Sequence, residues 1–120
     1  MLRTKIHRAT VTGADLDYEG SVSICPDLIK AAGLYINEKV DIYNCNNGAR
    51  FSTYVIKGRK GEICLNGAAA RHVQKKDLVI ICSYCGVSLE EAKKHEPQVV
   101  FVDNKNKIKE KRKEDRKNNR

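Results

Sequence analysis

The sequence has no long run of apolar residues. No segment approaches the roughly 20 apolar residues that a helix needs to span a bilayer, so a membrane-spanning helix is not expected. The first ten residues carry Arg3, Lys5 and Arg8, whereas a secretory signal peptide has an apolar segment close to its start. These two absences predict a cytoplasmic protein.

Apolar and aromatic residues are scarce at the C-terminal end, where Ile108 is the single apolar residue after position 102. Such a segment buries too little surface to fold, so we predict a globular domain over 1–102 and a basic, disordered tail over 103–120. The tail has nine Lys or Arg against four acids, or +5, which leaves +3 of the total +8 for residues 1–102. A nucleic-acid-binding barrel is the alternative that the basic charge raises, but most of that charge is in the tail.

The five cysteines are an odd number in a chain for which no signal peptide is predicted, and this favours reduced thiols over a disulfide framework. Cys82 and Cys85 have the spacing of half a zinc site or of a redox pair. A complete zinc site needs two more ligands, and the sequence has no second close pair of Cys or His. We therefore predict no metal.

Apolar and polar residues alternate in several short segments, which is the pattern of half-buried strands. Pro26 and Gly33 mark the start and end of one short helix, and Ser88 with Glu91 forms a capping box at the start of a second. Six or so short strands without long βα alternation predict a mostly β fold, a small barrel. The strand-like segments are 5–12, 21–25, 39–44, 51–57, 62–65, 78–84 and 98–102, of which 39–44 and 51–57 are expected to pair as a hairpin.

Gly20-Ser21 lies where a turn-rich segment meets a predicted strand. A glycine before a serine permits the strained backbone that brings the serine hydroxyl against the preceding carbonyl, but an isolated Gly-Ser is usually a plain turn. The context is more specific, because four segments resemble, in order and at similar spacing, the pyruvoyl-dependent aspartate decarboxylases. These segments are residues 5–12, 14–21, 47–54 and 66–70.

The resemblance implies a six-stranded double-psi β-barrel that assembles as a homotetramer, with active sites between neighbouring subunits. It also implies a proenzyme that cuts itself between Gly20 and Ser21 and converts Ser21 into a covalent pyruvoyl cofactor. The expected substrate is L-aspartate, whose amine forms an imine with the pyruvoyl ketone before CO2 leaves. The expected product is β-alanine, for pantothenate and coenzyme A biosynthesis.

The same resemblance assigns roles to individual residues. Arg50, whose planar guanidinium suits a carboxylate, and Lys5 are expected to bind the substrate. Tyr54 is expected to return a proton after CO2 leaves, and Thr53 to assist self-cleavage and line the pocket. The remaining assigned positions are Gly67, Ala68 and Ala69 as substrate contacts, with Tyr18 and Asn66 in support.

Some features depart from the family or leave alternatives open. Tyr43 stands where the family commonly has tryptophan, and the basic tail has no family counterpart. Glutamate or another amino diacid would satisfy the same positive charges as aspartate, and an inactive relative would keep all four segments. Nothing in the sequence decides whether a maturation factor is needed.

Overall fold

The computed structural model describes residues 1–113, and the end of the predicted tail, residues 114–120, lies outside the described residues. Strands are far more abundant than helices in the described part, which confirms the predicted mostly β fold class. Its α-helices are α1, Pro26–Ala32, and α2, Leu89–Ala92, and a 3-10 helix covers Gly67–His72. The strands are β1 Leu2–Thr10, β2 Gly13–Asp15, β3 Ser21–Ile24, β4 Lys39–Asn44, β5 Arg50–Lys57, β6 Ile63–Asn66, β7 Leu78–Tyr84, β8 Gln98–Val102 and β9 Ile108–Lys113.

The nine strands of the described residues form one sheet in the order β2-β6-β3-β5-β4-β7-β1-β8-β9. Three neighbouring pairs are parallel, namely β1 with β8, β2 with β6, and β3 with β5. β4 and β5 pair as the predicted antiparallel hairpin, with Tyr43 opposite Arg50. This arrangement is consistent with a small β-barrel, although within residues 1–113 the two end strands, β2 and β9, do not pair with each other.

Two strands were missing from the sequence prediction. β2 has three residues, too few for alternation to be visible. β9 lies in the segment predicted to be disordered, so that prediction is wrong for residues 103–113. All six β9 residues are exposed, and antiparallel backbone pairing with β8 holds the strand in place. The apolar content of a segment indicates only whether its side chains can be buried. It therefore does not predict a strand that is held by backbone hydrogen bonds alone.

The helix boundaries follow the predicted signals. Pro26 is the first residue of α1, and Gly33 ends it in the left-handed conformation with φ of +69°, which glycine adopts without steric cost. The Ser88 hydroxyl accepts from the Glu91 N–H at 3.0 Å, and the Glu91 carboxylate accepts from the Ser88 N–H at 3.1 Å. The capping box at the start of α2 is therefore confirmed.

The core is built from apolar side chains that are in register across central strands. Ile6 on β1 lies opposite Ile81 on β7, which lies opposite Ile42 on β4, and all three are fully or almost fully buried. Leu28 of α1 packs into the same cluster. Burying each such side chain contributes about 1.5–3 kcal/mol, so these contacts anchor the strands that carry the polar residues described below.

All five cysteines are free thiols, as predicted. Within residues 1–113, no group of three or more His, Cys, Asp or Glu side chains is placed to hold a metal ion. In that same part of the chain, no helix has the length and apolar character needed to cross a membrane.

Candidate active site

Ser21 is the first residue of β3, and its side chain is buried. The antiparallel register places it opposite Asn66 on β6. Ser21 Oγ donates to the Glu19 carbonyl at 2.9 Å and accepts from Asn66 Nδ2, also at 2.9 Å. The same amide nitrogen donates to Ser23 Oγ at 3.0 Å. The hydroxyl is thus removed from water and held beside the Gly20-Ser21 peptide bond.

Gly67 brings a second segment of backbone against that bond. Its φ is +66°, and a Cβ atom at this position would lie 2.7 Å from both the nitrogen and the Cα of Gly20, and 3.2 Å from the Tyr18 carbonyl oxygen. Real Cβ atoms essentially never make contacts this short, so only glycine fits. Tyr18 as a whole is 55% exposed, and its backbone carbonyl oxygen is the atom that faces the Gly67 position.

A cleft of about 210 Å³ opens beside Gly20. Four of the residues with predicted roles line it, namely Gly20, Thr53, Ala68 and Ala69. Its other lining residues were not predicted, and they are Phe51, Ser52 and His72. The His72 ring stacks on Phe51 with centroids 4.7 Å apart. The cleft is smaller than a drug-sized pocket, which suits a ligand of amino-acid size.

Three of the predicted residues, Lys5, Arg50 and Tyr54, neither line this cleft nor form side-chain hydrogen bonds with Ser21. Successive side chains of a strand point to opposite faces, so Arg50 and Tyr54 share one face of β5 and Thr53 lies on the other. Among the described residues, no hydrogen bond, ion pair or ring contact joins these three side chains to Ser21. One chain therefore brings together only part of the predicted set.

Arg50 and Lys5 belong to a second group of side chains. The Arg50 guanidinium carbon lies 3.9 Å from the centre of the Tyr43 ring, a cation–π contact. Tyr43 in turn shares a hydrogen bond of 2.8 Å between hydroxyl oxygens with Tyr84. That hydrogen bond, together with burial, raises the pKa of Tyr84 well above its ordinary value, so this phenol stays neutral.

Lys5 lies opposite Cys82 on β7, and the charges of both Lys5 and Arg50 act on the Cys82 thiol. Burial raises the pKa of this thiol, while the positive charges of Lys5 and Arg50 act in the opposite direction. We call Lys5, Tyr43, Arg50 and Tyr84 the cationic face. Sequence reasoning missed the two tyrosines, although the register of the β4–β5 hairpin would have placed Tyr43 beside Arg50.

Comparison with known proteins gives the same family as the resemblance. The family model for aspartate decarboxylase matches residues 1–109. An aspartate 1-decarboxylase of Bdellovibrio bacteriovorus is 86% identical over 120 residues, which cover 100% of this chain and 97% of that protein. Aspartate 1-decarboxylases of Neisseria meningitidis and Caldicellulosiruptor bescii are 61% and 60% identical over 110 residues, which cover 90% of this chain and 87% and 86% of those proteins.

The family model and the match to the Bdellovibrio protein span all four of the segments that carry the resemblance, and they span the positions of both Ser21 with its surroundings and the cationic face. The family prediction made from the sequence is thereby confirmed. The chain belongs to the aspartate decarboxylase family.

Proposed function

We propose that this chain is a pyruvoyl-dependent decarboxylase that converts L-aspartate into β-alanine and CO2, and so supplies β-alanine for pantothenate and coenzyme A biosynthesis in the cytoplasm. The observation that carries the proposal is the buried Ser21 hydroxyl, held between the Glu19 carbonyl and the Asn66 amide directly after Gly20. Family membership supports the reaction and the substrate.

Self-cleavage begins when Ser21 Oγ attacks the Gly20 carbonyl carbon and the peptide nitrogen leaves as the amine of Ser21, which gives an ester. Loss of the Ser21 α-proton and cleavage of the Cβ–Oγ bond then release Gly20 as a carboxylate. Hydrolysis of the resulting dehydroalanine releases ammonia and leaves a pyruvoyl group at position 21. These steps require a side-chain group on the β-carbon that can attack the carbonyl and later leave from the β-carbon. A serine hydroxyl meets both requirements.

The surroundings of Ser21 fit a small covalent group. The Asn66 amide is within hydrogen-bonding distance of the serine side chain, and the nearby loop residues Gly67, Ala68 and Ala69 leave space for the cleft. When formed, the pyruvoyl group supplies an electrophilic carbonyl that accepts the electron pair released by decarboxylation. The chain itself positions the substrate, and Thr53 offers a hydroxyl at the cleft wall.

Substrate binding requires the cationic face, and protonation requires Tyr54. Arg50 and Lys5 bind carboxylate oxygens through charge-assisted hydrogen bonds, and Tyr54, which is 37% exposed, donates the proton that replaces CO2. Because these side chains are not joined to Ser21 within one chain, we propose that a neighbouring subunit provides them in a homotetramer. Each site then combines Ser21 of one subunit with the cationic face and Tyr54 of another.

The first experiment compares intact masses and CO2 release for the wild type, Ser21→Ala and Ser23→Ala. Ser23 is a matched control, because it is also buried on β3 and also accepts from Asn66. The wild type and Ser23→Ala should yield fragments of residues 1–20 and 21–120 and release CO2 from aspartate. Ser21→Ala should stay intact and inactive. A cut Ser21→Ala chain, or an uncut wild type that instead binds DNA in a salt-dependent manner, would refute the proposal.

The shared site has a separate test by subunit mixing. Ser21→Ala and Arg50→Ala tetramers should each be inactive. Co-expressed chains should recover part of the activity, because an Arg50→Ala subunit retains Ser21 and its Ser21→Ala neighbour retains Arg50. Mixed tetramers that remain as inactive as the parents would show that both residues act within one subunit.

A further inference from the structure

A separate cavity of about 710 Å³ lies between α1, the turn at residues 58–61 and the hairpin of β8 and β9. None of its lining residues lines the cleft beside Gly20. We call it the lysine groove, because five exposed lysines surround it: Lys30, Lys60, Lys105, Lys107 and Lys111. The proposed decarboxylation makes no use of these residues.

The lysine groove has an unbalanced positive charge. Asp27 is in its lining, and nearby Asp103 accepts from the backbone N–H groups of Lys105 and Lys107 at 2.8 and 2.9 Å. These two carboxylates offset two of the five lysine charges, which leaves +3 for these seven residues. In residues 1–113, none of the five ammonium groups forms an ion pair. A ligand with several negative charges would relieve their mutual repulsion.

The walls of the groove are held in place by Asn106, which is 3% exposed. Its side-chain oxygen accepts from the Thr10 N–H at 2.7 Å, and its side-chain nitrogen donates to the carbonyls of Thr10 and Gly61, both at 2.9 Å. These bonds tie the turn between β8 and β9 to β1 and to the turn at 58–61. The groove is therefore pre-formed, as small-molecule sites usually are.

The inner surface of the groove is less polar than its rim. Buried Cys25, partly buried Ala31 and the side chain of Ile108 contribute to it. A purely inorganic anion would satisfy the lysines but would leave this surface in contact with water. A ligand that joins charged groups to an apolar or aromatic ring would use both parts.

We infer that the lysine groove binds a small molecule that carries two or more phosphate groups attached to a ring system, such as a nucleoside triphosphate. The cavity volume is within the range of about 300–1,000 Å³ that is usual for such ligands. Lysine ammonium groups are common phosphate ligands. This inference does not depend on the proposed decarboxylase activity.

Isothermal titration calorimetry of the full-length protein with ATP tests the inference. ATP should bind once per chain, adenosine should not bind measurably, and added salt should weaken ATP binding. Lys60→Gln/Lys107→Gln should weaken it by about 10-fold or more, because charge-assisted hydrogen bonds are lost. Lys93→Gln/Lys94→Gln removes the same charge from exposed positions outside the groove and should bind ATP like the wild type.

Three outcomes would overturn the inference. The first is no ATP binding, and the second is equal weakening in both double variants, which would mean a general effect of net charge. The third is binding of a DNA duplex of about 20 base pairs that is lost in the groove variant while ATP does not bind, which would indicate a nucleic-acid surface. Thermal unfolding checks that each variant is folded, and Lys30→Gln/Lys111→Gln provides a second groove variant with the same expected loss.

Discussion

Replacing Gly67 by alanine tests whether the close approach of its loop to Gly20 matters for folding and for self-cleavage. The added methyl group meets two penalties. Gly67 has φ of +66°, and its Cβ atom would lie 2.7 Å from two backbone atoms of Gly20. Since those atoms belong to the residue whose carbonyl is proposed to be attacked, any relaxation of the contact displaces the bond that is proposed to be cut.

The structure supplies a control that separates the two penalties. Gly48 also has a positive φ, +76°, but nothing lies within 4 Å of a Cβ atom there. The left-handed conformation costs an alanine about 1–2 kcal/mol at either position. At Gly67 the contact adds about 1–3 kcal/mol, the usual range for overpacking. We therefore expect losses in unfolding free energy of about 1–2 kcal/mol for Gly48→Ala and about 2–5 kcal/mol for Gly67→Ala.

Two assays apply to both variants. Urea unfolding, performed on a Ser21→Ala background so that all chains are intact, measures the stability difference. The time course of cleavage by intact mass, performed with Ser21 present, should show slower cutting for Gly67→Ala and an unchanged rate for Gly48→Ala. The reasoning is refuted if Gly67→Ala cuts at the wild-type rate and loses no more stability than Gly48→Ala.

Two further predictions concern residues outside the cleft. Tyr84→Phe removes the hydroxyl that is hydrogen-bonded to Tyr43, the residue on which Arg50 stacks. KM for aspartate should therefore rise about 3- to 10-fold with little change in kcat. Steady-state kinetics in which kcat alone falls would contradict this. Burial raises the pKa of Glu38, but hydrogen bonds from Ser83, the Tyr35 N–H and Arg3 outweigh it, and the pKa lies below its ordinary 4.5. A carboxylate whose pKa is lowered in the folded state stabilises the protein at pH values above its unfolded-state pKa. That stabilisation is lost as the pH falls through the folded-state pKa. Glu38→Gln should therefore be less stable than the wild type in urea at pH 7, and the difference should shrink below pH 4.5; an equal difference at pH 7 and in acid would show that the Glu38 charge does not matter.

The strands with clear alternation were predictable from the sequence almost to the residue. β4, β7 and β8 have the predicted boundaries. Each of these strands has either alternating apolar and polar residues or a continuous apolar run, and both patterns are visible in the sequence. β1 begins three residues earlier than predicted, at Leu2. β9 was not predictable from composition, since a strand of lysine, arginine and glutamate has no buried face and depends on its pairing with β8.

The candidate site was predictable only through the family segments. Gly20 and Ser21 alone indicate a turn, and their contacts with Asn66 and Gly67 depend on the pairing of β3 with β6. The separation of Arg50 and Tyr54 from Thr53 was partly predictable from the sequence. Residues 50 and 54 are an even number of positions apart on β5 and so share a face, whereas residue 53 is an odd number of positions from both. The stacking of Arg50 on Tyr43 requires the hairpin register. The catalytic roles of these residues remain predictions.

The hydrogen bonds of Asn66 have a consequence for the protein after it has been cut. Both amide hydrogens are in use in the intact chain, one on Ser21 and one on Ser23, while the amide oxygen accepts from Cys64. The proposed maturation consumes the Ser21 hydroxyl and so deprives a buried donor of its acceptor, a loss of about 1–3 kcal/mol unless another oxygen replaces it. After cutting, the free Asn66 N–H would favour a ligand that places an oxygen atom at the former position of the Ser21 hydroxyl. A hydrogen bond within the precursor would thus be replaced by a hydrogen bond to the ligand.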